Sequence, residues 1–362
     1  MYRNITYAFV DMLNSISKRG SYISTRGSEQ IEILSQLIQI KNPMERVIVV
    51  PNRKNNIFAL IAETIWVLGG RDDLAYLSHY LPRAIDFSDN GKTWRAAYGP
   101  RLRNFNGVDQ FKEIVRIINE DKNTKRAVMS IFNPQKDYVE TKDVPCNNWL
   151  QFMVRNGQLH LNVTVRANDA VWGFGGINSF EWSVLQEMMA FWTGTEVGNL
   201  SWFVGTIHVY ERHYETAQKI IDSFPYKTLY EFGIQRPKFS TSFSDFDKEL
   251  KKWFCIEEKM RIQADADLYS EIQQIQDSFL RNSLEMLHIY NQYLRGCPDT
   301  KLAELVNQLP TNDFKIAAIE YFSRTINLME QMNLSDKERE FFEFYNNCIM
   351  TQTDKSHVAL IS

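Results

Sequence analysis

Residues 158–166 alternate regularly between apolar and polar side chains. This alternation is typical of a β-strand with one buried face. The preceding segment 148–155 is also strand-like, and the two segments are joined by Asn156 and Gly157, the strongest short signal for a two-residue hairpin turn. We therefore predict a β-hairpin within residues 148–169.

Longer apolar stretches predict buried helices. Segment 55–70 is apolar on nearly every face and ends in two glycines, which is typical of a buried helix with a glycine stop. Segments 108–121 and 179–194 also have helical character, and segments 126–134 and 200–213 read as further strands. We therefore predict an α/β (α+β) fold with a mixed sheet and flanking helices, and we expect the first third of the chain to hold helices and loops.

The composition changes after about residue 222, where Lys, Glu, Gln and Asp dominate. Helical periodicity covers residues 267–296 and 313–332, and no linker rich in Gly, Pro or Ser precedes them. We predict a core over residues 1–240 and a helical C-terminal extension over residues 241–362 that packs on this core.

Charge and cysteine content exclude several functional classes. The net charge is −3 with no long basic run, so nothing indicates nucleic-acid binding. The four cysteines are widely spaced without a C-x-x-C pair, which argues against a zinc site and against a disulfide framework. No apolar run is long enough to span a membrane, and the N-terminus lacks a signal-peptide pattern. We expect a cytoplasmic protein that uses no metal.

Cys146 follows Pro145 and directly precedes the first strand of the predicted hairpin. If the strands pair without a bulge, counting outward from the turn places Ala167 opposite Cys146 and Arg166 next to it. A nearby guanidinium favours the nucleophilic thiolate form. From the residues alone, two interpretations remain open: an ordinary buried cysteine, which is the common fate of a lone cysteine, and a nucleophile at the edge of a pocket.

Two further segments carry candidate binding residues. Segment 166–182 places an arginine, an acid and an asparagine around three glycines, and glycines let the backbone approach a ligand. Its spacing differs from the dinucleotide-binding fingerprint. His208 and Tyr210 lie two residues apart on a predicted strand and therefore share a face. They suit a sugar, although a hydrogen-bonded core pair is the alternative.

Together these motifs resemble the thymidylate synthase family, from about residue 26 to residue 214. The segments that carry the resemblance are STRGSEQ, AETIWVLGG, TKRAVMSIFNP, PCNNWLQFMV, RANDAVWGFGGIN and GTIHVYERH. The resemblance implies a homodimer that binds a pyrimidine nucleoside 5′-monophosphate and the co-substrate 5,10-methylenetetrahydrofolate. It also implies that a cysteine thiolate adds to C6 of the base, after which C5 attacks the one-carbon unit.

The resemblance also implies roles for individual residues. Cys146 is expected to be the nucleophile, Glu63 to relay protons through ordered water, and Tyr98 to flank the thiol, with Asp169 as a fourth catalytic residue. Burial of Glu63 among apolar neighbours should raise its pKa. Folate contacts are expected from Glu63, Asp169, Trp172 and Gly173. Nucleotide binding is expected from Arg26, Arg166, Ala167, Asn178, His208 and Tyr210, and from Lys125 and Arg126 of the partner subunit.

The chain departs from the family pattern in the segment before Tyr98. The family carries a tryptophan pair there, whereas Asp86 and Phe87 stand near the expected positions and Trp94 lies too close to Tyr98 to substitute. Without this aromatic wall, water can reach the exocyclic methylene, which predicts a 5-hydroxymethyl nucleotide and unoxidised tetrahydrofolate. Asn147 replaces the family histidine, and we expect it to rearrange the water network near the base.

Two further departures concern the phosphate and the sugar. Ala167 replaces a family serine, which removes a hydrogen bond worth roughly 1–3 kcal/mol, and Lys125 replaces the planar fork of an arginine by a point charge. We predict that the nucleotide is shifted to admit a ribose 2′-hydroxyl, with CMP as the substrate. Asn178 alone fits both uracil and cytosine. The alternatives are a dCMP or dUMP hydroxymethylase, a thymidylate synthase that makes dTMP, and a catalytically silent nucleotide- or RNA-binding relative.

Overall fold

The structure is a computed structural model that describes residues 1–25, 27–263 and 268–358. Within these ranges a mixed β-sheet packs against helices, which confirms the predicted α/β architecture. The strands are β1 (Ser21–Thr25), β2 (Ser28–Ile40), β3 (Val128–Ser130), β4 (Asn147–Arg155), β5 (Gln158–Val165), β6 (Asn168–Asp169) and β7 (Glu196–Tyr210).

The strand order brings the segments with candidate chemistry together. The order is β1-β2-β7-β5-β4-β3, with the short strand β6 also paired to β7. Strands β5 and β6 run parallel to β7, and the other neighbouring pairs are antiparallel. The start of β4 and the ends of β5 and β7 therefore lie at one edge, where Asp169 pairs with His208.

The predicted hairpin is confirmed, but its register differs from the prediction. Arg155 pairs with Gln158 as expected, and a bulge then adds Asn148 to β4. The carbonyl of Asn148 is turned toward β3, where it accepts from the backbone N–H groups of Ile131 and Phe132. As a result Cys146 lies opposite Arg166, whose N–H donates to its carbonyl at 2.9 Å. The predicted pairing of Cys146 with the residue after Arg166 was wrong.

The expectation of helices and loops in the first third missed strands β1 and β2. Strand β2 pairs along most of its length with β7 and lies between β1 and β7 in the sheet. Ser35 has a positive φ of 53° and interrupts the pairing between Leu34 and Gln36. This interruption shifts the alternation of apolar residues along the strand, so the pattern is hard to recognise in the sequence.

The described part of the chain before residue 240 places eight α-helices around the sheet. The predicted buried helix begins after Asn56, whose side chain accepts from the backbone N–H of Ala59, and it ends before Gly69. A π-helical turn over Ala170–Ile177 leads into α7. The helices are α1 (Ile5–Arg19), α2 (Ile57–Leu68), α3 (Leu74–Tyr80), α4 (Tyr98–Arg103), α5 (Gln110–Glu120), α6 (Pro134–Asp137), α7 (Asn178–Trp192) and α8 (Tyr214–Ser223).

The last part of the described chain is helical, and it packs on the preceding elements. The hydroxyl of Tyr80 donates to the buried carboxylate of Glu257 at 2.7 Å and accepts from Asn291 at 3.1 Å. The division at residue 240 stays a prediction. The helices are α9 (Phe243–Ile262), α10 (Tyr269–Gln273), α11 (Ser278–Leu294), α12 (Asp299–Gln308), α13 (Asp313–Phe322) and α14 (Asp336–Val358).

We expect Tyr80→Phe to lower the free energy of unfolding by about 1–3 kcal/mol, because it leaves the buried Glu257 carboxylate without this donor. Urea unfolding of both proteins measures the difference. Tyr138→Phe, at an exposed tyrosine, is the matched control and should leave stability unchanged. Equal effects of the two substitutions would contradict the role of the Tyr80 hydroxyl.

Candidate active site

A cavity of about 200 Å³ lies at the sheet edge where β4 begins. Helix α2, helix α4, the segment before β4 and the loop between β6 and α7 all contribute to its wall. Six of the residues selected from the sequence line it: Glu63, Tyr98, Cys146, Asp169, Gly173 and Asn178. Their roles stay predictions, but the fold brings them together around one thiol.

Arg166 holds the segment that carries Cys146. Its Nε donates to the carbonyl of Pro145 at 3.0 Å, and its Nη2 donates to the carbonyl of Val144 at 2.7 Å. The same Nη2 lies 3.9 Å from Sγ of Cys146. A permanent positive charge therefore sits beside a thiol that faces a cavity, which favours the nucleophilic thiolate over an inert core cysteine.

Asn147 connects two aromatic residues behind the thiol. Its Nδ2 donates to the hydroxyl of Tyr98 at 2.7 Å, and its Oδ1 accepts from Nε1 of Trp182 at 3.1 Å. Burial raises the pKa of Tyr98 well above its ordinary value, and the nearby Cys146 adds to this effect. The Asn147 amide thus positions Tyr98, and its effect on the water network near the base stays a prediction.

Two carboxyl groups interact in this region, that of the half-buried Glu63 and that of the buried Glu181. Burial raises the pKa of Glu63 from 4.5 to about 7, which confirms the predicted direction. Glu181 is almost fully buried, and burial together with the charge of Glu63 raises its pKa well above the ordinary value. Its carboxylate accepts from Nδ2 of Asn178 at 3.0 Å. Glu181 was not among the residues selected from the sequence, although an acid one turn after Asn178 in an apolar helix was an available signal.

Asp169 and Gly173 shape the wall opposite helix α2. The Asp169 side chain accepts from the backbone N–H groups of Val171 at 2.8 Å and Trp172 at 3.3 Å, so it fixes the start of the π-helical turn. A Cβ atom on Gly173 would lie 2.0 Å from Oδ1 of Asn168, so this close approach requires glycine.

Trp172 lies outside this cavity, in a neighbouring groove of about 290 Å³. The guanidinium of Arg53 lies 5.6 Å from the centre of its ring and donates to the carbonyls of Val171 and Gly175. Lys54, Lys219 and His213 also line the groove. This basic groove suits an anionic part of a ligand. Arg53 was not among the residues selected from the sequence.

His208 and Tyr210 share a face at the end of β7, as predicted, with ring centres 4.9 Å apart. Burial lowers the pKa of His208, which favours the neutral imidazole. Its Nε2 is buried and has no hydrogen-bond partner among the residues that the structure describes. Because neither His208 nor Tyr210 lines the cavity, their contact with a sugar stays a prediction.

Among the predicted nucleotide-binding residues that the structure describes, Asn178 lines the cavity, whereas six others do not: Lys125, Arg126, Arg166, Ala167, His208 and Tyr210. Arg26 lies outside the described residues. Lys125 and Arg126 are exposed in the loop before β3. Ala167 follows Arg166 at the sheet edge and is half-buried. The donation of Lys125 and Arg126 to a partner subunit stays a prediction.

The cavity has an aromatic wall, so the expectation that this wall is missing was wrong. Phe87 and Trp94 both line the cavity, and their rings stack with centres 5.4 Å apart and an interplanar angle of 8°. The loop between them folds back through a hydrogen bond from the Ser88 hydroxyl to the Thr93 carbonyl at 2.7 Å. Nε1 of Trp94 donates to Oδ2 of Asp143 at 2.8 Å, which places another carboxyl in the wall.

Residues 7–254 match the family model described as thymidylate synthase. The chain belongs to the thymidylate synthase family. It is 31% identical, over 366 aligned positions, to a deoxyuridylate hydroxymethyltransferase of Bacillus phage SP01; this alignment covers 92% of the chain and 95% of the relative. A protein of the same name from Delftia phage PhiW-14 is 27% identical, over 81% of the chain and 87% of the relative. A thymidylate synthase of Francisella tularensis is 26% identical, over 55% of the chain and 79% of the relative.

Membership of the thymidylate synthase family confirms the predicted one-carbon transferase at the level of the family. The alignment with the SP01 relative extends beyond the family model into the C-terminal helices. Among the described residues, no group of three or more His, Cys, Asp and Glu side chains could hold a metal ion. In the same ranges, no helix is long and apolar enough to cross a membrane.

Replacing Glu63 by Gln should change how stability depends on pH. Because the folded protein holds the Glu63 proton up to about pH 7, the wild type loses stability as pH rises from about 4.5 to about 7. The glutamine side chain introduced by E63Q cannot titrate. The free energy of unfolding of this variant, relative to that of the wild type, should therefore be on the order of 3 kcal/mol higher at alkaline pH than at acidic pH.

Urea unfolding at about pH 5 and about pH 8 measures this difference, at either end of the range in which the group titrates. Glu196→Gln, at an exposed glutamate of β7, is the control and should follow the wild type. If the difference in free energy of unfolding between E63Q and wild type does not change with pH, the raised pKa of Glu63 is contradicted.

Proposed function

We propose that the protein transfers a one-carbon unit from 5,10-methylenetetrahydrofolate to C5 of dUMP and releases 5-hydroxymethyl-dUMP. The observation that carries this proposal is the similarity, over nearly the whole chain, to a relative named deoxyuridylate hydroxymethyltransferase. The thymidylate synthase relative covers 55% of the chain, whereas this relative also covers most of the helical extension. CMP, which the departures at Ala167 and Lys125 favoured, stays an alternative prediction.

The residues around the cavity suit the early steps of this reaction. The Cys146 thiolate, beside Arg166, adds to C6 of the base, and C5 becomes nucleophilic. Methylenetetrahydrofolate supplies the one-carbon unit. Glu63, with a pKa of about 7, can both accept and return a proton at neutral pH. Loss of the C5 proton and departure of tetrahydrofolate leave an exocyclic methylene, which water attacks in the final step.

Asn178 is the proposed reader of the base edge. Its Nδ2 donates one hydrogen to Glu181, so the amide has a preferred orientation in the cavity wall. An amide held in one orientation can match the edge of uracil or that of cytosine, but not both equally. We propose that the Glu181 contact selects uracil, in keeping with the name of the phage relatives.

We also propose a homodimer formed through the open face of the sheet. Leu34 and Leu37 of β2 are 61% and 58% exposed, and Phe203 of β7 is 43% exposed. Leu37 and Phe203 are directly paired across the two strands. Neighbouring apolar side chains on an uncovered sheet face favour association with a second copy. In such a dimer Lys125 and Arg126 would serve the phosphate site of the partner.

Leu37→Glu should convert the dimer into a monomer, because it buries a charge without a partner in the proposed interface. Sedimentation velocity measures the mass of the variant and of the wild type. Tyr226→Glu, at an exposed tyrosine outside the sheet, is the control and should remain dimeric. A wild-type protein that sediments as a monomer would contradict the proposed dimer.

Product analysis tests the reaction and the substrate together. Incubation with methylenetetrahydrofolate and dUMP should give 5-hydroxymethyl-dUMP by mass spectrometry, with lower kcat/KM for dCMP, UMP and CMP. Cys146→Ala should abolish the product, whereas Cys255→Ala, at an exposed cysteine of α9, should retain it. Release of dTMP and dihydrofolate would overturn the proposed reaction, and a preference for CMP would overturn the proposed substrate.

A further inference from the structure

Asp143 places a carboxyl group in the wall of the same cavity, three residues before Cys146. Oδ2 of this carboxyl accepts from Nε1 of Trp94 at 2.8 Å. The backbone is held by Arg95, whose Nη2 donates to the Asp143 carbonyl at 2.7 Å. Both the side chain and its backbone are therefore fixed, and the residue lines the same cavity as Cys146.

The surroundings of Asp143 suit a general base. A carboxylate has about four lone-pair positions, and the indole of Trp94 and the backbone N–H of Val144 each use one of them. Burial raises the pKa of Asp143, although the Trp94 hydrogen bond and the charge of Arg166 oppose this effect. A carboxylate with a raised pKa is a stronger base than an ordinary surface aspartate.

The aromatic wall gives this carboxyl a defined position relative to the reaction. Phe87 and Trp94 stack against one another in the cavity wall, and an aromatic wall by itself would exclude water from the methylene. The Asp143 carboxyl accepts a hydrogen bond from the Trp94 indole, so it adds a polar group to that wall. Glu63 lies on helix α2 and is engaged in the earlier proton transfers proposed above.

We propose that Asp143 is a further catalytic residue, which binds and deprotonates the water that attacks the exocyclic methylene. This inference rests on the proposed hydroxymethylation. The water oxygen forms a bond to the methylene carbon, and its proton passes to the Asp143 carboxylate. The electron pair moves into the ring to form the C5–C6 double bond and expels the Cys146 thiolate from C6. Asp143 then returns the proton to solvent, so no oxidant or reductant is required.

The test compares two steps of the same turnover in Asp143→Asn. Release of tritium from C5 of dUMP reports the steps before methylene formation, and 5-hydroxymethyl-dUMP reports the attack of water. The asparagine amide keeps an oxygen acceptor for Trp94 but loses the base, so the ratio of product to released tritium should fall about 10²-fold. Asp86→Asn, at an exposed aspartate paired with Arg83 outside the cavity wall, is the control and should keep the wild-type ratio.

Asp143→Glu separates a catalytic role from a structural one, because it retains a carboxylate on a longer side chain. The ratio for Asp143→Glu should recover to within about tenfold of the wild type. An unchanged ratio in Asp143→Asn, or an Asp143→Glu ratio as low as that of Asp143→Asn, would overturn the role of Asp143. Formation of dTMP by the wild type would instead overturn the proposed hydroxymethylation, so the two failures are distinguishable.

Discussion

The guanidinium of Arg166 donates to two carbonyl oxygens of the segment before β4 and lies 3.9 Å from Sγ of Cys146. These contacts hold a segment that contains Pro145, which cannot donate to the sheet. The bulge at Asn148 makes the arrangement possible, since it brings Arg166 opposite Cys146. Without these hydrogen bonds from Arg166, the thiol would have neither a fixed direction toward the cavity nor a cation beside it. The remaining site residues are arranged around that fixed thiol.

Two carboxyl groups, those of Glu63 and Asp143, line the same cavity as this thiol, and the carboxyl group of Glu181 contacts the cavity residue Asn178. Burial raises the pKa of each of the three. Their environments differ, which allows them separate tasks. Glu181 is hydrogen-bonded to Asn178 and Asp143 is hydrogen-bonded to Trp94, whereas Glu63 lines the cavity from helix α2. Because like charges oppose one another in a buried space, Glu63 and Glu181 favour a state in which at least one of them keeps its proton.

The sequence predicts the structure correctly where several local signals agree. The Asn156-Gly157 turn determines the hairpin, and the apolar helix around Glu63 explains its raised pKa. The sequence does not predict features that depend on contacts between residues far apart in the chain. The bulge depends on hydrogen bonds from Ile131 and Phe132, and the position of Trp94 depends on the closure of the loop after Phe87. Such contacts leave no periodic pattern in the chain.

In the proposed reaction, water rather than hydride attacks the exocyclic methylene. Turnover of dUMP with methylenetetrahydrofolate in water enriched in heavy oxygen tests this claim directly. Mass spectrometry should find one heavy oxygen in the hydroxymethyl group of the nucleotide, while the folate product is tetrahydrofolate. A methylated nucleotide without the oxygen label, formed together with an equal amount of dihydrofolate, would contradict attack by water.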